Sequence, residues 1–504
     1  MIAILTASKG TGAPLNAVRR PECARADGLI ALDKMRVIQL LNDTERHMEA
    51  AMAENKFVSA IAPEKVHSTI GKLMLADGMD IVMDLENSRG AYLRDSKSGK
   101  DYLDFFTCFA SSPIGFNHPR LTEPEFITKL GRAAVNKPSN SDLYTTEMAE
   151  FVETFGRIAV PAEMKHLFFI SGGGLAVENA LKTAFDWKVR KNIAAGVNSA
   201  DAPDSELKGM KAIHFKQAFH GRTGYTLTLT NTFDPRKTQF FPKFEWPRVN
   251  NPMASYPLEG ENLAATEKRE AEALAQIEKA FADNPNDIAC MVIEPIQGEG
   301  GDNHFRPEFM QALSKLAKKN DALLVFDEVQ TGLGLTGTMW CYQQLGMTPD
   351  IVCFGKKTQI CGIMATDRID EVKDNVFVVS SRINSTWGGN LIDMVRCQRY
   401  LEVIEEDGLV ANAETMGQRF RKGLEAIAAA SGGKITNVRG RGLMCAFDLP
   451  TTEIRDDLLG KMRGRLLMAL PAGPIAVRFR PPLNVTADEI DTALAAIEAS
   501  AKEI

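Results

Sequence analysis

The chain has 504 residues, of which 44% are hydrophobic and 25% are charged. This composition is that of a globular protein and excludes a disordered or fibrous one. The chain is too long for a single compact core, so we expect at least two domains. The formal net charge of −6 argues against a nucleic-acid-binding protein, because such a surface needs an excess of Lys and Arg.

The termini and the cysteines indicate a cytoplasmic protein. No run of eighteen apolar residues predicts a membrane span, and the opening MIAILTASKG lacks the long apolar core of a secretory signal. The eight cysteines form no CxxC pair and no Cys/His cluster at zinc spacing, so we expect reduced, mostly buried cysteines and no metal site. Residues 1–58 are expected to be an N-terminal extension, to which we assign no function.

From about residue 100 the chain alternates apolar, strand-like runs with amphipathic helical segments. This order is typical of a mostly parallel sheet covered by helices, and runs that are apolar almost throughout suit strands buried on both faces. The predicted fold class is therefore α/β. Five strands are expected, at HLFFI, KAIHFK, IACMVIEP, ALLVFDEV and IVCFG.

Beyond residue 390 the pattern changes to helix, short strands and helix, which predicts a smaller α+β domain. GRGLMCAFDLP and IAVRFRPPL are strand-like, and Thr486 and Glu489 have capping-box spacing before a C-terminal helix. MDIVMDL and AYLRDSKSGKDYLDFF form another expected strand group that packs with it. The expected boundaries are 59–110 for the N-terminal part of the small domain, 111–389 for the large domain and 390–504 for the C-terminal small domain.

A glycine-rich turn, SGGGLAVENALK at residues 171–182, directly follows one predicted strand and opens a helix. The amides of Gly173 and Gly174 would be unpaired donors at the positive end of the helix dipole, which favours the binding of a single phosphate monoester. A turn that uses glycine only for its geometry is an equally good alternative.

Asp327 stands at the carboxyl end of the predicted strand in VFDEVQ, the edge of an α/β sheet where ligands collect. It could hold a metal in a nucleotide hydrolase, but the chain has no GxxxxGK[ST] phosphate loop to accompany it. It could instead pair with a positively charged heterocyclic nitrogen. A helix-capping or surface acid is the third interpretation.

Three cationic motifs lie at the ends of predicted strands. In DIVCFGKKTQ, Lys356 and Lys357 are either two solvated loop charges, or one of them is a nucleophile with an easily deprotonated amine. FHGR, residues 219–222, offers a ring for stacking and a guanidinium for a carboxylate, although simple packing is common for such a motif. VRFRPPL puts Arg478 and Arg480 on one strand face, as an anion reader or as solvated edge charges.

Together these pieces resemble the class III, fold type I pyridoxal-phosphate aminotransferases, and among them most closely the L-lysine 6-aminotransferases. The likeness extends over residues 60–500 and depends on many motifs occurring in order. The motifs that carry it are HLFFISGGGLAVENALKTAFDWK, AFHGRTGYTLTLTNT, EPIQGEGGDNHFRPEF, LLVFDEVQTGLGLTGTMW, DIVCFGKKTQICG, RINSTWGGNLIDMVR and RFRPPL.

The resemblance implies pyridoxal 5'-phosphate as the cofactor. Lys356 would be the catalytic residue that carries it as a Schiff base, and Lys357 would have no catalytic role. Thr386 would reach the phosphate of the neighbouring subunit, which implies a homodimer with shared active sites. The remaining cofactor contacts would be Asp327 at the ring nitrogen, Gln330 at the phenolic oxygen, Phe219 stacked on the ring, and Gly173 and Gly174 at the phosphate.

The resemblance also implies the reaction. L-lysine and 2-oxoglutarate would give L-glutamate and 2-aminoadipate 6-semialdehyde, which cyclises to piperideine-6-carboxylate. Arg222 would hold the far carboxylate of lysine, Arg478 would hold the near carboxylate of glutamate, and Glu299 would neutralise Arg478 when lysine is bound. Whether Arg480 assists Arg478 stays open. The alternatives are another ω-aminotransferase, acting on ornithine or 4-aminobutyrate, a non-catalytic relative, and a nucleotide-binding protein.

Overall fold

The computed structural model describes residues 61–504, as one unit that includes residues 61–78 and a second unit of residues 79–504. Residues 61–78 contain a 3-10 helix, Pro63–Lys65, and helix α1, Val66–Ile70. The expected N-terminal extension, residues 1–58, lies outside the described residues. Among the helices of residues 61–504, none combines the length and the apolar character needed to cross a membrane.

A seven-stranded sheet forms the centre of residues 79–504. One of its strands is antiparallel to both of its neighbours, and the other neighbouring pairs are parallel, as predicted. That strand, β11 (Cys361–Thr366), is not among the predicted ones, and neither is β5 (Arg248–Val249). In spatial order the strands are β3 (Met164–Ile170), β11 (Cys361–Thr366), β10 (Ile351–Phe354), β9 (Leu323–Asp327), β6 (Ile288–Ile293), β4 (Lys211–Phe215) and β5 (Arg248–Val249).

Alternate residues of the central strands pack into two separate hydrophobic clusters. In β9, Leu323 and Val325 belong to one cluster, whereas Leu324 and Phe326 belong to the other. Successive side chains of a strand point to opposite faces, so each face of the sheet has its own core. This is why β6, β9 and β10 read as continuous apolar runs, and every residue of these three strands is buried.

Three smaller sheets accompany the central one. A four-stranded antiparallel sheet has the order β12 (Thr436–Arg441), β13 (Met444–Asp448), β16 (Ala476–Phe479) and β15 (Leu470–Ala472). A two-stranded sheet pairs β7 (Ile296–Gln297) with β8 (Asn303–His304). A three-stranded sheet contains β1 (Tyr92–Arg94), β2 (Asp101–Asp104) and β14 (Leu467–Met468).

The three-stranded sheet joins the two ends of the second unit, since β2 pairs with β14 in parallel. The expectation that AYLRDSKSGKDYLDFF packs with C-terminal strands is therefore confirmed. The strand expected at MDIVMDL is wrong: only Met83 forms an isolated bridge, to Asp95. The chain there makes single contacts with a neighbouring turn rather than a ladder, and its apolar residues at 79–85 are not buried.

The helices of the second unit cover the sheets and include the helix predicted after the glycine-rich turn, Gly173–Ala194, and the predicted C-terminal helix, Ala487–Ala501. The capping box at Thr486 and Glu489 is present, each side chain accepting from the other's backbone N–H. Residues Thr107–Ala110 form a helical turn with positive φ angles instead of an ordinary α-helix. The α-helices are α2 (Pro124–Val135), α3 (Thr146–Ile158), α4 (Gly173–Ala194), α5 (Thr226–Leu229), α6 (Gly260–Asp283), α7 (Pro307–Lys319), α8 (Leu391–Glu406), α9 (Leu409–Ala430), α10 (Thr452–Gly464) and α11 (Ala487–Ala501).

Candidate active site

A cavity of about 220 Å³ lies beyond the carboxyl ends of the parallel strands β4, β6, β9 and β10. This is the edge at which open α/β sheets bind ligands. The cavity brings together seven of the ten site residues predicted from the sequence: Gly173, Gly174, Phe219, Glu299, Asp327, Gln330 and Lys356. It is also lined by His220, Gly221, Glu294 and Val329, to which the sequence analysis gave no role.

Asp327, the last residue of β9, is buried and hydrogen-bonded to His220. The distance between Oδ2 of Asp327 and Nδ1 of His220 is 2.8 Å, and Oδ1 accepts from the backbone N–H of Val329 at 3.1 Å. Burial alone would lower the pKa of His220, but the hydrogen bond and the negative charges of Asp327 and Glu294 raise it overall. This contact fixes the Asp327 carboxylate at the cavity wall, which suits an acid that pairs with a cationic group. A surface role is wrong because Asp327 is only 5% exposed, and a capping role is wrong because no helix begins between Asp327 and Cys341.

Lys356 follows β10 after the single residue Gly355, and its backbone has a φ of +52°. Residues other than glycine rarely adopt such a φ, and functional sites are among the places where the fold holds them in it. Burial, together with the positive charges of Arg478 and Arg480, lowers the pKa of Lys356, against the opposing charges of Asp327 and Glu294. A lowered pKa makes the neutral, nucleophilic amine easier to form.

Lys357 has quite different surroundings. It is 2% exposed, and its Nζ donates to the backbone carbonyl of Gln330 at 2.6 Å and to that of Ala110 at 3.5 Å. The interpretation of the two lysines as solvated loop charges is therefore wrong. Lys357 does not line the cavity, so only Lys356 presents an amine there.

The first turn of α4 forms the opposite wall with the loop after β4. Gly173 and Gly174 are the first two residues of α4, where backbone N–H groups have no acceptor within the helix. Gly221 packs against them: its φ is +117°, and a Cβ there would lie 2.7 Å from Cα of Gly174. Glu178 of α4 holds the same loop by accepting from Tyr225 and Thr226 N–H. The backbone is thus kept close to a cluster of free donors, which fits a phosphate.

Glu294 is a buried acid that the sequence analysis missed. It follows β6 directly and accepts hydrogen bonds from the backbone N–H of Phe219 at 2.9 Å and of Gly298 at 3.2 Å. Burial raises its pKa to about 7. The rule that singled out Asp327, an acid at the carboxyl end of a buried strand, would have found Glu294 as well.

Arg478 and Arg480 are both buried, with exposures of 6% and 1%. Arg478 lies in β16 and Arg480 follows it directly, and β16 lies between β13 and β15, so the interpretation as solvated edge charges is wrong. Nη1 of Arg478 lies 3.4 Å from Oε1 of Gln330, and Nε of Arg478 has no hydrogen-bond partner among residues 61–504. Burial and the charge of Arg480 lower the pKa of Arg478 to about 10. A buried guanidinium with unused donors is suited to binding an anion.

Glu299, at the cavity wall, forms an ion pair with Lys237. Lys237 lies in the 3-10 helix Pro235–Lys237, about 60 residues earlier, and the sequence analysis gave it no role. The negative charge of Glu299 acts on Arg478, but the structure shows no hydrogen bond between these two side chains. The expected partner of Glu299 is thus near, while its observed partner is Lys237.

Three of the ten predicted site residues do not line the cavity: Arg478, which contacts Gln330 of the cavity wall, Arg222 and Thr386. Arg222 is exposed and follows Gly221, which does line it. Thr386 is also exposed, but its backbone carbonyl accepts from Oγ of Ser139 at 2.5 Å, so the segment is anchored to its own chain. The roles expected for Arg222 and Thr386 stay predictions.

Comparison with known proteins gives a consistent result. The family model described as aminotransferase class-III matches residues 74–500. The L-lysine-epsilon aminotransferase of Mycobacterium tuberculosis is 55% identical over 439 residues, which cover 87% of this chain and 95% of the relative. The L-lysine-epsilon aminotransferase of Streptomyces clavuligerus is 48% identical over 462 residues, which cover 91% of this chain and 98% of the relative. The solved lysine aminotransferase from M. tuberculosis, in its internal aldimine form, aligns with a TM-score of 0.84 at 55% identity, covering 87% of this chain and 99% of that one.

Proposed function

Because the chain belongs to the class-III aminotransferases, we propose that it is an L-lysine 6-transaminase that uses 2-oxoglutarate as amino acceptor. The products are L-glutamate and 2-aminoadipate 6-semialdehyde, which cyclises to piperideine-6-carboxylate. The observation that carries this proposal is the 55% identity to an L-lysine-epsilon aminotransferase over 87% of the chain. The arrangement of Lys356 and Asp327 around one cavity supports it, with Arg478 buried beside Gln330 of the cavity wall.

Pyridoxal 5'-phosphate is the proposed cofactor, and the residues present fit it. When bound, it supplies an electrophilic carbon for amines and a ring that withdraws electrons from the reacting carbon. Gly173 and Gly174 offer amide donors for its phosphate, Phe219 offers a ring face, and the Asp327 carboxylate, held by His220, suits a protonated ring nitrogen. The other contact is Gln330 at the phenolic oxygen.

Lys356 is the proposed catalytic residue. Its amine faces the cavity, and its lowered pKa favours the neutral form that can attack an electrophilic carbon. The same Nζ, as a free amine, would accept the proton of the reacting carbon of the substrate and return it. The negative charges of Asp327 and Glu294 oppose this lowering of the Lys356 pKa.

Arg478 and Arg222 are the proposed binding residues for the substrate carboxylates. Arg478 binds the near carboxylate of L-glutamate or 2-oxoglutarate, using its unpartnered Nε. Arg222 binds the far carboxylate of L-lysine, and Glu299 neutralises Arg478 while lysine is bound. In the structure Glu299 pairs with Lys237 and leaves Arg478 free, an arrangement that suits the glutamate-binding half of the reaction.

The active unit is proposed to be a cytoplasmic homodimer, in which Thr386 reaches the cofactor phosphate of the neighbouring subunit. Thr386 and Trp387 are exposed, and their backbone is fixed: the carbonyl of Thr386 accepts a hydrogen bond from Ser139, and that of Trp387 accepts one from Asn140. An ordered, exposed aromatic segment is suited to a contact between subunits. The seven cysteines within residues 61–504 are free, which suits a reducing compartment. Neither nucleic acid nor membrane is a proposed partner.

The test is turnover by the purified protein loaded with pyridoxal phosphate. L-lysine and 2-oxoglutarate should yield L-glutamate and the cyclic imine in equal amounts. Lys356→Ala should show no detectable turnover, whereas Lys422→Ala, at an exposed lysine of α9, should match the wild type. A strong preference for ornithine or 4-aminobutyrate would overturn the lysine assignment but leave the class intact. Turnover retained by Lys356→Ala would move the catalytic role to Lys357.

A further inference from the structure

Gln330 is held at its side chain and at its backbone by residues that do not line the cavity. Its Oε1 accepts hydrogen bonds from Nη2 of Arg480 at 2.9 Å and from Nε of Arg480 at 3.2 Å. Its backbone carbonyl accepts from Nζ of Lys357 at 2.6 Å. Gln330 itself lines the cavity, whereas Arg480 and Lys357 do not, so both contacts reach it from behind the wall.

The chemistry of its neighbours determines the orientation of the Gln330 amide. A guanidinium only donates hydrogen bonds, so the amide atom that faces Arg478 and Arg480 must be the oxygen. The amide nitrogen, with its two N–H donors, is then left for an acceptor elsewhere. Gly298 is needed for this arrangement, because a Cβ there would lie 2.3 Å from Oε1 of Gln330.

Arg480 is itself fixed by a buried ion pair with Asp302. Nη1 of Arg480 lies 2.9 Å from Oδ2 of Asp302, Nη2 also contacts Oδ1, and the Asp302 side chain is fully buried. The backbone N–H of Arg480 donates to the carbonyl of Phe105 at 2.7 Å. A planar guanidinium held at two nitrogens by a carboxylate has its remaining N–H groups fixed in direction, and these are the ones that reach Gln330.

Lys357 holds the backbone carbonyl of Gln330 without a direct ion pair of its own in the described part of the chain. Within residues 61–504 its side chain makes no ion pair, and its hydrogen bonds go to the carbonyls of Gln330 and Ala110. Burial and the charges of Lys356 and Arg480 lower its pKa well below the usual range. Burying a lysine without an ion-pair partner costs free energy. We therefore infer that the contact serves to fix the backbone at Gln330.

We propose that Asp302, Arg480 and Lys357 are positioning residues which hold Gln330 so that its amide nitrogen faces the cavity as a hydrogen-bond donor. These four residues are the Gln330 clamp. The inference rests on the proposed function, in which the acceptor is the phenolic oxygen of the cofactor. Arg480 thus acts through Gln330 and does not bind the substrate carboxylate itself.

The experiment is a double-mutant cycle on the full-length protein, with pyridoxal phosphate as the probe. Gln330→Ala should raise the dissociation constant for the cofactor roughly 3- to 10-fold, as expected for one lost hydrogen bond, and should move the pH midpoint of the bound cofactor's visible absorbance. Arg480→Met should produce the same two changes, and the double variant should show no more than Gln330→Ala alone. Lys357→Met should shift both quantities in the same direction.

Two further variants separate the donor from the fold. Gln330→Glu keeps an oxygen for Arg480 but offers no N–H, so it should lose cofactor affinity like Gln330→Ala. If Arg480→Met fails to fold because Asp302 is left unpaired, the pair Arg480→Met with Asp302→Asn takes its place in the cycle. The matched control is Arg419→Met, which breaks an exposed arginine–aspartate pair with Asp491 and should change neither quantity.

The outcomes distinguish this inference from the proposed function. The clamp is overturned if Arg480→Met leaves cofactor binding unchanged, or weakens it equally in the wild type and in the Gln330→Ala background. If the wild type still turns over lysine in that case, the proposed function stands. Full cofactor affinity in Gln330→Glu would also overturn the clamp. A wild type that takes up no cofactor overturns both proposals.

Discussion

Lys356 and Lys357 are neighbours in the chain but belong to different parts of the site. The positive φ of Lys356 turns its amine toward the cavity, while the next side chain points into the protein and reaches two backbone carbonyls. Burial lowers the pKa of both lysines, but only one of them has access to a ligand. Access to the cavity, and not the ease of deprotonation, therefore separates the proposed nucleophile, Lys356, from the proposed positioning residue, Lys357.

Lys237 provides a prediction at the residue scale. Lys237→Met removes the partner of Glu299, which then becomes free to pair with Arg478 and compete with the substrate carboxylate. We expect the KM for 2-oxoglutarate to rise about two- to fivefold, the range of a partly exposed ion pair, and the KM for L-lysine to stay within error. Steady-state kinetics with each substrate varied in turn measure both.

The control for this variant is Lys243→Met. Lys243 lies in the same segment but donates only to backbone carbonyls, so its loss leaves Glu299 paired. Equal increases of both KM values in Lys237→Met would contradict the specific effect on Arg478 and indicate a general disturbance of the cavity wall.

At the scale of elements, the site depends on the close approach of α4 and the loop after β4. Gly221→Ala should separate them, because its Cβ would lie 2.7 Å from Cα of Gly174 and the φ of +117° is unfavourable for alanine. We expect a loss of stability of roughly 1 to 3 kcal/mol together with clearly weaker binding of pyridoxal phosphate. Thermal unfolding and equilibrium dialysis measure the two effects.

Gly196, just beyond the end of α4, is the matched control. Its φ is +73°, but a Cβ there would meet no atom within 4 Å. Gly196→Ala should therefore lower stability through backbone strain alone and leave the affinity for the cofactor unchanged. If both variants lose cofactor to the same extent, the close approach at Gly174 is not the cause.

The elements themselves were largely predictable. All five central strands that the sequence predicts are present in one sheet, and the α/β fold class and fold type I are confirmed. The prediction for MDIVMDL failed because its apolar residues have no core to pack against, whereas β11 was missed although five of its six residues are buried. Burial, which distinguishes these two cases, depends on distant parts of the chain. The domain boundaries at 110 and 389 stay predictions.

At the scale of the whole molecule, the proposed dimer can be tested by complementation. Thr386→Ala alone should bind pyridoxal phosphate weakly and lose activity, and Lys356→Ala should be inactive. A mixed dimer of the two variants then contains one complete site, if Thr386 serves the neighbouring subunit, and should recover about half of the wild-type activity. Co-expression with two different affinity tags yields the mixed dimer for assay.

The reference is a mixed dimer of wild type and Lys356→Ala, which should also reach about half of the wild-type activity. If the Lys356→Ala and Thr386→Ala pair stays at the level of Thr386→Ala alone, Thr386 acts within its own subunit. A monomeric wild type would contradict the shared site directly.

The sequence by itself determined five of the seven central strands and placed Asp327 and Lys356 at or just beyond their carboxyl ends, because buried strands follow from local pattern. The family resemblance supplied the full set of seven residues that meet at one cavity. Only the tertiary structure decided which side chains hold those residues. His220 meets Asp327 across 107 positions, and Arg480 meets Gln330 across 150. These contacts depend on where distant parts of the chain meet at the edge of the sheet, and a local sequence pattern does not contain that information.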